Sequence, residues 1–385
     1  MKTIVASSVL LGREAFATLG ECVVVPDREI KAATVRDADA LIVRSKTDCN
    51  AALLAGSRVR FVGTATAGFD HFDTDWLTQA GLAWYAAAGC NANSVAEYIS
   101  AALLLHLGQR RGRKLAGLTL GIVGVGQVGS RVAHKARLLG MRVLLNDPPL
   151  AEKTGDPVYR PLDEILPQCD VVTLHTPLEK KGAHPTFHLA GAQFFAQLKR
   201  GALFINASRG EVMETACVQQ ALAQQTICDA LLDVWEEEPN IARELLAAAA
   251  LGTPHIAGYS FEGRLNGTIQ CHHVLCRAFG LTPNWTPPRD ITHPTLPAID
   301  LDAAQLDVES ALARILLAAY DITADDRALR AGTSAEGKAW GQHFDALRKN
   351  YPERREFAAR STRLANASQL LLELLRGFGF AVEAV

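Results

Sequence analysis

The stretch from Leu118 to Asp147 limits what this chain can fold into more than any other. Its apolar run Leu118-Thr119-Leu120-Gly121-Ile122-Val123 reads as a strand buried on both faces, as strands of a parallel sheet are. Gly124-Val125-Gly126-Gln127-Val128-Gly129 follows, and then a helical pattern with Val128, Val132, Ala136 and Leu139 on one face, closed by Gly140. A second apolar run, 141–145, ends at Asp147. Strand, glycine turn, helix, strand and acid in this order is the layout of a dinucleotide site. Gly124 permits the tight turn, Gly126 lets the backbone approach a pyrophosphate, and Gly129 lets the helix lie against the strand. The first helical residues, Gln127 and Val128, sit where free N–H groups face the anion. Asp147, 18 residues past Gly129, is placed to accept hydrogen bonds from the adenosine ribose. Its charge repels a 2′-phosphate and Pro148-Pro149-Leu150 supply no arginine, so the cofactor expected is NAD, not NADP.

At 385 residues the chain has room for two or three domains, each with its own core. Apolar residues make up 49% and charged ones 21%, the composition of a globular chain. A net charge of -2 gives no reason to expect nucleic acid or an acidic membrane as partner. Eight cysteines are scattered with no C-x-x-C, and Cys271-His272-His273 is too compressed for a closed zinc site, so no metal is expected. Free thiols and a cytoplasmic setting follow as the simplest expectation. The N-terminal Met1-Lys2-Thr3-Ile4-Val5-Ala6 reads as a first strand, because Ser7-Ser8 and Arg13-Glu14 break any signal-peptide pattern.

The flanking segments repeat the β/α alternation. Strands are expected over 3–7, 22–25, 40–43, 59–63 and 82–86, with helices over 13–19 and 73–80. A long helix is expected over 95–107, capped by Asn93 or Ser94. Past Asp147, strands at 170–177, 202–206 and 229–235 alternate with helices at 162–166, 191–198 and 214–225. This spacing predicts an α/β protein with parallel, doubly wound sheets, whose ligands bind beyond the carboxyl ends of the strands. Prolines 283, 287, 288, 294 and 297 mark a linker, after which mainly helical patterns are expected, including 303–320 and 361–376.

Arg209, Glu238 and His255 each fall at the end of an expected strand. Singly, such residues are commonly a structural ion pair, a turn before proline and a packing histidine. On three successive strand ends of one nucleotide-binding sheet they form a candidate reactive set.

The motifs around them, Asn206-Ala207-Ser208-Arg209-Gly210, Asp233-Val234-Trp235-Glu236-Glu237-Glu238-Pro239 and Thr253-Pro254-His255-Ile256-Ala257-Gly258, resemble those of the D-isomer-specific 2-hydroxyacid dehydrogenases. The resemblance implies that Arg209, Glu238 and His255 are catalytic. On it His255 takes the hydroxyl proton, as an imidazole titrating near neutrality can. Glu238 orients the ring, and Arg209 offers a planar fork to the substrate carboxylate. It also implies cofactor contacts at Gly124, Gly126, Gln127, Val128, Gly129, Asp147, Thr176, Ala207, Ser208, Arg209, Asp233 and Gly258. For Asp233 the residues alone leave a second reading open, that of a loop cap.

Further pieces resemble the 4-phosphoerythronate dehydrogenases of vitamin B6 biosynthesis. They are Ile42-Val43-Arg44-Ser45, Gly63-Thr64-Ala65-Thr66-Ala67-Gly68-Phe69-Asp70-His71, Gly89-Cys90-Asn91-Ala92-Asn93, Pro185-Thr186-Phe187-His188-Leu189, and Phe344-Asp345-Ala346-Leu347-Arg348-Lys349-Asn350-Tyr351 with Arg354-Arg355-Glu356-Phe357. This implies a flavodoxin-like substrate domain (1–98 and 258–285), a Rossmann NAD domain (99–257) and an α-rich C-terminal dimerisation domain (286–385) making a homodimer. It implies substrate contacts at Ser45, Thr66 and Tyr259. Arg44, Lys46 and an arginine of the tail reaching across a dimer are candidates for a substrate phosphate. Lys46, Asn146 and Trp235 depart from the common pattern. Alternatives are a relative acting on 3-phosphoglycerate or glyoxylate, and a non-catalytic NAD(H)-sensing protein.

Overall fold

The computed structural model describes residues 1–384. The chain divides into two compact units. Met1–Ala92 with Tyr259–Thr295 makes the first, and Asn93–Gly258 with the chain from Leu296 onward makes the second.

The first unit holds five parallel strands, β1 (Lys2–Ala6), β2 (Glu21–Val25), β3 (Ala40–Val43), β4 (Phe61–Thr64) and β5 (Ala83–Ala86). Their order is β2-β1-β3-β4-β5, the flavodoxin-like arrangement. Ile4, Val5, Leu41, Ile42, Val43, Phe61 and Val62 are buried in near-continuous runs because both faces of the sheet are covered. The helix Phe261–Ala278 supplies part of that cover through Leu265, Cys271 and Leu275. Its Gly267 lies against the Ala65 carbonyl, which an added Cβ would approach to 2.5 Å.

The second unit carries β6 (Thr119–Val123), β7 (Arg142–Asn146), β8 (Val171–Leu174), β9 (Ala202–Asn206), β10 (Ile227–Leu232) and β11 (Leu251–Gly252). All are parallel, in the order β11-β10-β9-β8-β6-β7. After β7 the chain crosses to the other side of β6, so the topological switch falls beside the glycine turn. The long helix runs Ala92–Leu103 and widens into a π-helix over Leu104–Arg110. Asn93 and Ser94 lie inside it, and their side chains bond carboxylates instead of capping it: Asn93 Nδ2 donates to Glu97 and Glu356, and Ser94 Oγ to Glu356.

The tail is rich in helix, with Val308–Ala319, Ile322–Arg330, Lys338–Lys349 and Gln369–Phe378. It also contains a three-stranded parallel sheet, β12 (Ile299–Asp302), β13 (Ser361–Ala365) and β14 (Ala381–Ala384), which corrects the helix expected over 361–376. Thr362 and Leu364 are buried while Arg363 between them is exposed, the period of two of a strand. Ser368 then caps the helix Gln369–Phe378. Helices separate every pair of strands, unlike a βαββαβ unit, in which two strands follow one another directly. Leu329, Trp340 and Phe344 belong to the same apolar core as Phe204, Leu232, Trp235 and Leu246, so the tail packs on the second unit's sheet.

Candidate active site

The carboxyl ends of the second unit's strands bring the expected cofactor and reactive residues to one edge. Gly124 adopts φ 86, and a Cβ there would stand 2.7 Å from the His175 carbonyl oxygen. At Gly129 an added Cβ would come within 2.0 Å of the Gly124 carbonyl oxygen, which is why the helix Gln127–Leu138 can sit so close. Among the described residues, nothing beyond its own chain neighbours lies within 4 Å of a Cβ built on Gly126. That space opens at the helix N-terminus, where a pyrophosphate would take it. Asp147 is held ready: its Oδ2 accepts from Val125 N at 2.8 Å and its Oδ1 from Leu150 N at 3.0 Å. Each oxygen keeps a second lone pair for a ribose hydroxyl. The Thr176 hydroxyl, just past β8, is buried with no hydrogen-bond partner among the described residues. A buried donor of that kind invites a ligand. These residues fit NAD.

Past β9, Asn206 shapes the next turn. Its Oδ1 accepts from Ser208 N (3.0 Å) and Ser208 Oγ (2.8 Å), and its Nδ2 donates to the Arg209 carbonyl at 2.9 Å. Gly210 is required beside it, because a Cβ there would be 1.8 Å from the Trp235 carbonyl oxygen. Arg209 is half-buried, and its Nη1 donates to the Ser208 carbonyl at 2.7 Å.

Glu238 and His255, from the ends of β10 and β11, meet directly: His255 Nδ1 lies 2.8 Å from Glu238 Oε2. The other carboxylate oxygen accepts from Trp235 N at 3.0 Å. With Nδ1–H donated to a carboxylate, the basic lone pair sits on Nε2. Burial pushes the Glu238 carboxyl up, but His255, Arg348 and the Trp235 N–H outweigh it and hold it below the usual carboxylate range. His175, by contrast, is driven down to about 3 by burial, which keeps that ring neutral.

His255 stands at φ 56, a conformation uncommon for a side-chain-bearing residue. Asp233 secures it. The Asp233 carboxylate accepts from Thr253 Oγ1 (2.6 Å), Ile256 N (2.8 Å) and Ala257 N (2.9 Å), and its carbonyl accepts from His255 N at 2.7 Å. Burial raises its pKa, opposed by His255 and these hydrogen bonds. Asp233 thus ties down the loop that carries His255. Three residues near this pair were not singled out from sequence. Tyr98 and Thr253 lie in this loop's hydrogen-bond chain, at 2.8 Å from each other, and Arg348 comes from the tail. Tyr98 and Arg348 are distant in sequence from the motifs they support, and only the fold unites them.

In the first unit, Arg44 Nη1 donates to the Ser8 carbonyl at 3.4 Å and its guanidinium lies 5.5 Å from the Tyr259 ring centroid. Two expected ligand contacts thus touch each other, while Ser45 is exposed on the same loop. Thr66 Oγ1 donates to the Gly68 carbonyl (2.8 Å), which uses its only proton. The Thr64 hydroxyl, 2.6 Å away, must therefore donate to Thr66, and His71 Nε2, 3.1 Å from Thr64, must donate to Thr64. Thr66 is left to present an acceptor. Among the described residues no helix is long and apolar enough to cross a membrane.

The NAD-binding domain of D-isomer specific 2-hydroxyacid dehydrogenases matches residues 96–257, and a domain of unknown function (DUF3410) matches residues 291–379. An erythronate-4-phosphate dehydrogenase of Azotobacter vinelandii is 43% identical over 380 residues, covering 98% of this chain and 99% of its own. One of Edwardsiella ictaluri is 44% identical, covering 93% and 94%. Among solved structures, NAD+-bound 3-phosphoglycerate dehydrogenase of Entamoeba histolytica is similar at TM-score 0.62 and 25% identity, covering 73% of this chain and 95% of that one. D-lactate dehydrogenase of Aquifex aeolicus, complexed with NAD and lactic acid, gives TM-score 0.60 and 26% identity, covering 72% and 95%. Likeness to the relatives over nearly the full chain, tail included, joins with the NAD-fitting turn and the Arg209, Glu238 and His255 strand ends: this chain belongs to the erythronate-4-phosphate dehydrogenase family of D-isomer specific 2-hydroxyacid dehydrogenases.

Proposed function

We propose that the chain oxidises 4-phospho-D-erythronate at C2 to 2-oxo-3-hydroxy-4-phosphobutanoate, with NAD as oxidant, in the synthesis of pyridoxal 5′-phosphate. The observation that carries the chemistry is the 2.8 Å contact between His255 Nδ1 and Glu238 Oε2 at neighbouring strand ends. The family assignment carries the substrate. Bound NAD supplies the acceptor for the C2 hydride. His255 Nε2 takes the hydroxyl proton as the C2–O bond becomes a carbonyl, and Glu238 stabilises the imidazolium that results. Arg209 pairs with the carboxylate and polarises the C2 oxygen. Thr176 and Asp147 hold cofactor hydroxyls or phosphate, and Asp233 works through the loop beneath His255.

Ser45, Thr66 and Tyr259 are the substrate contacts of the first unit on this reading, with Arg44 a candidate for the phosphate. The active form is a cytoplasmic homodimer joined through the tail, residues 286–385. Sedimentation of the full chain tests the dimer. The test of function is NADH formation with 4-phospho-D-erythronate against D-3-phosphoglycerate and D-lactate, with a 2-oxo acid acceptor present and product assayed directly. Strong preference for phosphoerythronate is expected. Preference for another acid keeps the mechanism and discards the substrate. NAD binding without turnover on any acid points to a sensor.

A further inference from the structure

The tail helix Lys338–Lys349 is fastened to the segment that carries Glu238. Trp340 Nε1 donates to the Ile241 carbonyl at 2.9 Å. Gly341 lies so close that an added Cβ would stand 2.5 Å from Asn240 Oδ1 and 3.3 Å from Pro239 Cγ. Phe344, one turn on, is fully buried in the core shared with Trp235. One further turn along the same face, Arg348 brings Nη1 to 4.0 Å from Glu238 Oε2, both side chains being largely out of water at 15% and 18% exposure.

We propose that Arg348 is a positioning residue for the acid–base pair. It is a cation, supplied by this chain's own tail, beside the carboxylate that holds the His255 Nδ1 proton, and it offsets part of that carboxylate's pull on a second proton at Nε2. The proposal rests on His255 being the base. Glu238 is largely out of water, where a lone carboxylate is costly. At 4.0 Å Arg348 acts by charge and leaves the nearer approach on Oε2 to His255. A partly buried pair of this kind, anchored by two fixed helix contacts, escapes the screening that empties surface pairs of their worth.

Among the described residues, Glu238 and Asp233 act on His255 directly, Arg348 reaches it through Glu238, and Arg354 donates from Nη2 to the Ala257 carbonyl, two residues on from the ring. Removing Arg348 takes one positive charge from this set, so the ring holds a proton more readily. Oxidation needs the unprotonated ring. The acidic limb of kcat/KM for oxidation therefore moves to higher pH.

The experiment measures kcat/KM from pH 5.5 to 9.5 for the full-length enzyme with NAD, as wild type, Arg348→Met and Arg348→Lys. Met keeps the apolar stem over Phe344 and removes the charge. The expected result is a limb raised by about 0.5–1 pH unit in Arg348→Met and restored in Arg348→Lys. Lower kcat at every pH with the limb unmoved would overturn the proposal, leaving Arg348 a packing residue. So would a raised KM for the phosphorylated acid alone, which makes Arg348 a phosphate contact. NMR titration of the His255 ring in wild type and Arg348→Met reads the same shift without turnover. It keeps the two ideas separable: an enzyme inactive on every 2-hydroxy acid overturns the functional reading, and an unmoved ring titration overturns the role of Arg348.

Discussion

Thr253 donates its hydroxyl proton to Asp233 Oδ1 at 2.6 Å and so accepts from the Tyr98 hydroxyl at 2.8 Å. The chain Tyr98 to Thr253 to Asp233 is polarised in one direction and ends under the loop that carries His255. Asp233→Asn keeps the volume but turns one acceptor into a donor facing a loop N–H. We expect kcat to fall about 10- to 100-fold, from one lost and one opposed buried hydrogen bond. Steady-state kinetics and a melting curve check it.

His255→Gln removes the base and leaves the glycine turn untouched. Turnover should fall by about 10²- to 10⁴-fold, the usual contribution of a positioned base. NAD affinity, read by titration calorimetry, should stay within about threefold of wild type. Unchanged turnover would remove His255 from the mechanism.

Two glycines of the turn should fail differently. At Gly126 an added methyl meets no atom of the described residues beyond its chain neighbours but enters the space assigned to pyrophosphate, so Gly126→Ala should weaken NAD binding with little change in Tm. At Gly129 the methyl would meet the Gly124 carbonyl at 2.0 Å, so Gly129→Ala should lower Tm by several degrees as the helix is pushed from β6.

Thr66 presents an acceptor, which suits a substrate hydroxyl and not an anionic oxygen. Thr66→Val should reduce the preference for 4-phosphoerythronate over its 3-deoxy analogue by about tenfold, the worth of one neutral hydrogen bond. Equal loss on both acids would show that Thr66 does not read that hydroxyl.

Glu97 gives the chain a pH-dependent stability. Burial, and then the neighbouring Glu356, raise its pKa from 4.5 to about 8 in the folded state. The fold therefore binds this proton more tightly than the unfolded chain does. The resulting stability is complete below about pH 4.5 and is lost as pH rises towards 8. Glu97→Gln, which keeps an acceptor for Phe357 N, should be more stable than wild type at pH 8 by on the order of 1–3 kcal/mol, with a smaller difference at pH 5. Denaturant titrations at both values measure it.

The glycine turn, Asp147 and the strand ends bearing Arg209, Glu238 and His255 were legible in sequence because each is a local pattern at a strand's carboxyl end. The strand Ser361–Ala365 was not, since Leu364 and Leu371 to Leu375 share an apolar content that period alone assigns to helix. Asn93 and Ser94 have the chemistry of caps, yet Glu356, more than 260 residues on, takes their hydrogen bonds. Arg348 could be seen as a charge in the tail. Its partner could not, because Glu238 lies 110 residues earlier and only the contacts of Trp340 and Gly341 bring them together.

The helix Phe261–Ala278 roofs a sheet whose five strands end at Ala86. Gly267 and Thr268 seat it on Ala65 and on the Leu10 carbonyl. During synthesis the first sheet therefore emerges without the helix that completes it. At about 5–20 residues per second, roughly 10–40 s pass before that helix is made. The nucleotide-binding sheet, encoded in the interval, has its strands in hand before the sheet that precedes it can close.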